Sequence, residues 1–185
     1  HDWDAKTHCP AGATLPYEQY FTLPGNQRYY DFERYGVHFF ALDSDSREPS
    51  GNSKNSKQYK WLVKKLKRSK SRFKIAYFHH APYSSSYHGS NKTLQWDFAK
   101  LGINVVLAGH DHIYERIERN GILYFVNGIG GADSNYKTWW KIKGSKFIYN
   151  KTYGYMLGTI QKNKLTFKLY SQDSKLIDTA SIKAN

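Results

Sequence analysis

Ile103-Asn104-Val105-Val106-Leu107-Ala108-Gly109-His110-Asp111-His112 is the stretch that decides how this chain of 185 residues reads. Its apolar opening, residues 103–107, has the length and β-branched content of a buried strand. Ala108 and Gly109 end that run, and two imidazoles follow one residue apart. The same grammar occurs about thirty residues earlier, where residues 73–78 form a short apolar strand and His79-His80 follow directly. Ligands of α/β sheets bind beyond the carboxyl ends of the strands. Two strands that deliver histidines to one such edge therefore outline a site. Histidines spaced like His110 and His112 can each offer a nitrogen to a different metal ion, and Gly109 is expected to let the backbone bend close behind them. Imidazole suits zinc, iron, manganese and similar divalent metals.

The rest of the chain fits an α/β core around these strands. Residues 29–34 and 37–42 read as paired strands with Gly36 at the turn. In residues 58–66 the apolar Tyr59, Leu62, Val63 and Leu66 recur at the spacing of one helix face, and Ser56 stands where a cap belongs. Residues 91–100 read as a short helix. Strand-like runs close the chain at 122–126, 155–161, 165–170 and 176–182. Helix and strand alternate first and strands alone follow, which predicts an α/β core finishing in an antiparallel sheet. No internal repeat or domain boundary is visible, so residues 1–185 read as part of a single domain.

Composition narrows the function classes. Aromatic residues make up 17% of the chain, which excludes a disordered tail. No apolar run approaches the roughly 20 residues of a membrane span. Cys9 is the single cysteine, so neither an internal disulfide nor a cysteine zinc cage is available. The formal net charge of +13 sits in two blocks: ten bases and no acid in residues 54–74, eight bases and no acid in residues 137–168. The first block coincides with the predicted helix and reads as its solvated face. The second mixes Trp139 and Trp140 with lysines, a combination that can stack on bases or sugars. The preferred reading is a loop whose tryptophans cover the core. His38 lies inside a strand pattern and reads as a satisfied sheet residue, and His8 beside Cys9 as plain loop. Asn91-Lys92-Thr93 and Asn150-Lys151-Thr152 are glycosylation-type tripeptides and tilt the expectation towards export.

Gly109-His110-Asp111-His112-Ile113-Tyr114-Glu115-Arg116 resembles the closing metal-binding motif of the metallophosphoesterases, the calcineurin-like phosphoesterase superfamily. The Tyr-Glu-Arg run looks like its purple acid phosphatase branch. Phe78-His79-His80-Ala81-Pro82-Tyr83 is similar to the family's preceding histidine motif, and His1-Asp2 to the tail of its Gly-Asn-His-Asp/Glu motif. The stretches Leu23-Pro24-Gly25-Asn26, Ala41-Leu42-Asp43-Ser44-Asp45 and Val126-Asn127-Gly128 also fit such proteins. The resemblance implies an α/β fold of the metallophosphoesterase type, a β-sandwich flanked by helices, with the N-terminal part of the domain lying outside this chain. It implies two metal ions, of iron, zinc or manganese, and a small phosphorylated substrate. By resemblance His79 and His110 would bind one metal and His112 the other. His80 is the alternative to His79, because Pro82 stands two residues after it. His1, oriented by Asp2, and His88 would act on the phosphoryl group or the leaving group, with His80 and Tyr83 as further substrate contacts. The family's earlier aspartate, histidine and asparagine motifs are not in the chain. The missing N-terminal part of the same domain is thus an implied partner, and these 185 residues alone are expected to hold metals poorly. Two other readings remain open: a phosphodiesterase acting on nucleotides or nucleic acid with the same site, and a metal-free basic, aromatic module for glycans or polyanions. Nucleic acid is not the favoured partner.

Overall fold

Four short strands with apolar residues on both faces build the centre of the molecule. The computed structural model describes residues 20–131, 137–138 and 140–184. Strands β1 (Tyr30–Arg34), β2 (Val37–Ala41), β3 (Phe73–Tyr77), β4 (Val105–Ala108), β5 (Tyr114–Arg119), β6 (Ile122–Asn127) and β7 (Ser145–Tyr149) form a seven-stranded sheet in the order β1-β2-β3-β4-β6-β5-β7. Its inner strands β2, β3, β4 and β6 run parallel, whereas β1, β5 and β7 pair antiparallel with their neighbours. A parallel strand is covered on both faces, which is why these segments read as continuous apolar runs. Strands β8 (Gly154–Gln161), β9 (Lys164–Ser171) and β10 (Leu176–Lys183) form a second, antiparallel sheet.

Alternation along each central strand assigns the two faces. Val37, Phe73, Ile75, Val105, Leu123 and Phe125 pack against Leu165, Phe167, Leu169 and Ala180 of the second sheet. Phe40, Ala76, Val106, Tyr124 and Val126 face the other way, towards Leu62 and Leu66 of helix α1 (Lys57–Arg68) and towards Trp96 and Phe98. The result is the expected α/β sandwich.

Local chemistry agrees with most of the predicted boundaries. Ser56 caps α1 by accepting the Tyr59 N–H at 3.0 Å. Lys57, Lys60, Lys64 and Lys67 are exposed, so the first basic block is a solvated helix face. Residues 91–100 depart from expectation, because only Lys92–Leu94 forms a turn of 3-10 helix. Leu94, Trp96 and Phe98 are all buried, and this period of two suits an irregular segment laid along the core rather than a helix. The tryptophan expectation fails for Trp140, which is 76% exposed, while its neighbour Ile142 packs on the core instead. Trp139 lies outside the described residues. No helix among the described residues is long and apolar enough to cross a membrane.

Candidate metal centre

The parallel strands end side by side, and the residues just past β2, β3 and β4 meet. From β3 come His79 and His80, and from β4, after Gly109, comes His110. The ring nitrogens of these three can all lie within 4.8 Å of one another. His79 Nε2 faces His110 Nδ1 at 3.0 Å, so one ring donates its N–H to the lone pair of the other. The His80 and His110 ring centroids are 4.6 Å apart. From the end of β2, the Ser44 hydroxyl stands 2.9 Å from His80 Nδ1 and accepts the His80 backbone N–H at 3.0 Å. His88, on the loop after β3, brings its ring to 4.0 Å from that of His110.

Burial, reinforced by mutual crowding, disfavours the charged form of His79, His80 and His110. Burial among its neighbours pushes His79 down to about 4, and the nearby His80 and His110 add to the shift. His110 is likewise lowered to about 4, by burial first and then by His88 and His80. Burial also lowers His80, against the opposing charge of Asp45. Neutral imidazoles expose the lone pairs that a metal needs. The donor set therefore suits a borderline cation such as zinc or iron.

The backbone behind the cluster is built differently from expectation. His110 itself, and not Gly109, takes the left-handed conformation, with φ 67°. A Cβ on Gly109 would meet only His79 Nδ1, at 4.0 Å. The close approach falls on Gly128, at the end of β6, where a Cβ would overlap the carbonyl of Asp111.

Two buried carboxylates that sequence reasoning left without a role, Glu115 and Asp111, brace the loop that carries His88. Glu115 is wholly buried, and its carboxylate accepts the Ser85 N–H at 2.8 Å and the Ser85 hydroxyl at 2.5 Å. The same hydroxyl oxygen accepts the Ile142 N–H at 3.0 Å. Asp111, 1% exposed, accepts the Ser84 hydroxyl and the His88 N–H. On the opposite face of β5, Tyr114 and Arg116 both bind Asp178 of β10, at 2.9 and 2.8 Å. The Tyr-Glu-Arg run thus ties the two sheets with its odd members and the histidine loop with its middle one. Burial, reinforced by Asp178, raises the Tyr114 phenol above its ordinary value.

Of the residues singled out in the sequence, His79, His80, His88 and His110 come together. His112 is half-buried two residues beyond His110 and contributes to the field that lowers both His79 and His110, but is not in the group of three. Tyr83 packs edge-on against Tyr124 and under the Arg119 guanidinium, 4.3 Å from its ring centre. It belongs to the core side of its loop. His38 is a satisfied core residue, 2.9 Å from Asp31 Oδ2 and 2.8 Å from Ser69 Oγ. His1, Asp2, His8 and Cys9 lie outside the described residues.

A family model for the calcineurin-like phosphoesterases matches residues 2–114, a span that holds every histidine of the cluster. The chain belongs to the calcineurin-like phosphoesterase family. Among curated relatives it is 31% identical over 138 residues to a purple acid phosphatase of Glycine max, covering 64% of this chain and 29% of that protein. It is 43% identical over 84 residues to the Fe(3+)-Zn(2+) purple acid phosphatase 12 of Arabidopsis thaliana, covering 39% of this chain and 18% of that one. The solved structure of purple acid phosphatase PPD1 from yellow lupin (Lupinus luteus) seeds superposes with a TM-score of 0.73 at 20% identity, over 88% of this chain and 34% of that one. This phosphoesterase chain therefore spans less than a third of the length of these curated relatives.

Proposed function

We propose that the protein hydrolyses phosphate monoesters at a dinuclear metal centre, with this chain supplying the histidine half of the site. The observation that carries the reading is the neutral imidazole cluster at the carboxyl edge of the parallel strands, inside the span matched by the family. His110 and one of His79 or His80 would hold one metal ion and His112 the other. Ser44 favours His80, because its hydroxyl holds Nδ1 and so fixes the ring's orientation, the kind of outer support that metal-binding histidines usually have. Metal ions bound there supply Lewis acidity towards phosphoryl oxygens. The remaining ligands, carboxylates in the usual chemistry of such centres, would come from a more N-terminal part of the same domain.

The chain's own groups then do the following. His79 and His110, neutral far below pH 7, keep the edge free of competing protons. His88 sits close enough to His110 to place an N–H on a phosphoryl oxygen or to hand a proton to the leaving alkoxide. His1 and Asp2 would share that task, as the family resemblance implies. The two lysine blocks add a salt-sensitive attraction for anionic substrates.

The test is hydrolysis of an aryl phosphate by the complete protein that contains this chain, purified with its metals. Loss of activity on chelation, and in His110→Ala and His112→Ala, is the expected result. Activity indifferent to both substitutions would overturn the assignment.

A further inference from the structure

Asp111 stands between two histidines of the proposed centre, yet its carboxylate serves the neighbouring loop. Oδ2 accepts the Ser84 hydroxyl at 2.5 Å, and Oδ1 accepts the backbone N–H of His88 at 2.9 Å. Ser84 Oγ in turn accepts the Ser86 N–H at 3.1 Å, and the Gly89 N–H closes the turn on the Ser86 carbonyl at 3.0 Å. Gly89 takes φ 68°, so the chain reverses immediately after His88. The side chain that fixes the His88 backbone is thus one peptide bond away from His110, the residue its ring faces at 4.0 Å.

An apolar residue would fill this buried position at lower cost, because taking a carboxylate out of water is offset only by good hydrogen bonds. Asp111 makes two, both to the segment that carries His88, and both short enough to be strong. We infer that Asp111 is a positioning residue, which sets the His88 imidazole against the metal-binding edge and so governs how tightly the site holds a phosphoryl group. This rests on the function proposed above for the phosphoryl part of the inference, and on the geometry alone for the positioning part.

Two measurements separate those parts. Hydrogen exchange at the His88 amide, read in the metal-free complete protein, needs neither metal nor substrate. Asp111→Ala should speed it by about tenfold or more, the scale of one lost charge-assisted bond, while amides of β3 and β4 keep their rates. Asp111→Asn should stay near wild type, since its amide oxygen still accepts the His88 N–H and the Ser84 hydroxyl can turn to accept from Nδ2. Ser84→Ala removes only one of the two bonds and gives an intermediate rate, and it decides the matter if Asp111→Ala fails to fold. In the metal-loaded complete protein, inorganic phosphate is the probe. Asp111→Ala should weaken phosphate inhibition as much as His88→Ala does, and the double variant should be no worse than His88→Ala. Unchanged His88 exchange in Asp111→Ala, equal damage from Asp111→Asn, or additive losses in the double variant would each overturn the inference. If His88→Ala leaves phosphate inhibition unchanged, the role proposed for His88 fails, while the exchange rates still decide the positioning.

Discussion

Replacing Gly128 by Ala should damage the molecule more than replacing the glycine inside the histidine motif itself. An added Cβ at Gly128 overlaps the Asp111 carbonyl oxygen, and lies 2.9 Å from the carbonyl carbon and 3.3 Å from His112 Cα. Carbon atoms rest at about 3.5–4.0 Å, so main chain must retreat by several tenths of an ångström to about an ångström. No flexible side-chain end can yield instead, and the Gly128 N–H is bound to the Ile113 carbonyl at 2.9 Å, which holds the two segments together. Overpacking of this kind costs about 1–3 kcal/mol. Alanine recovers about 0.4–1 kcal/mol by restricting the unfolded chain. The net loss of about 1–2 kcal/mol corresponds to a fall in Tm of roughly 2–8 °C at this chain length. Gly109→Ala is the internal control, because its Cβ meets nothing closer than 4.0 Å and its φ is not left-handed. It should stay within about 0.5 kcal/mol of wild type. Thermal and urea unfolding followed by circular dichroism would read both. A Gly128→Ala variant as stable as wild type, or a Gly109→Ala variant that is the worse of the two, would refute the reasoning.

Other consequences are as direct. His79 and His110 should titrate near 4 in an NMR pH series of the metal-free chain, and titration near 6.5 would mean that the cluster is open to water. Because an unfolded imidazole titrates near 6.5, the unfolded chain binds more protons between that pH and about 4. The contribution of these two residues to stability is therefore complete above 6.5, declines as the pH falls to about 4, and levels off below. Substituting both by Gln should flatten the pH profile of urea unfolding across that window. Glu115→Ala strips two bonds from Ser85 in a wholly buried place and should cost about 2–4 kcal/mol in urea unfolding, whereas a loss under 1 kcal/mol would show that water replaces the carboxylate. Ser44→Ala should weaken metal retention by the complete protein by roughly tenfold, as loss of an outer hydrogen bond does, and His79→Ala should then be milder than His80→Ala.

The sandwich was legible because its central strands are short, apolar and covered on both faces, so burial rather than long-range pairing decides them. Strand β5 was hidden by its own composition. Tyr114-Glu115-Arg116-Ile117-Glu118-Arg119 carries four charges in six residues, and only the structure shows that Glu115 and Arg116 are consumed by Ser85 and Asp178. Strand β7 was masked by the lysines around it. The histidines of the site could be named from sequence because imidazoles placed after a strand have a chemistry of their own. Their supports could not. Ser44, Ser84 and Ser85 are common surface residues, and their role depends on partners 27 to 36 positions away. The close backbone approach was expected at Gly109 but falls on Gly128. Glycine marks where left-handed backbone is easiest, but His110 adopts it here, with its ring against those of His79, His80 and His88.

The most direct test of a metal centre at this edge is anomalous scattering from crystals of the complete protein, collected on either side of the zinc or iron absorption edge. The account predicts a peak about 2.0–2.2 Å from a ring nitrogen of His110 and from one of His79 or His80, and its loss in His110→Ala. Full occupancy at a site that touches none of these imidazoles would contradict it.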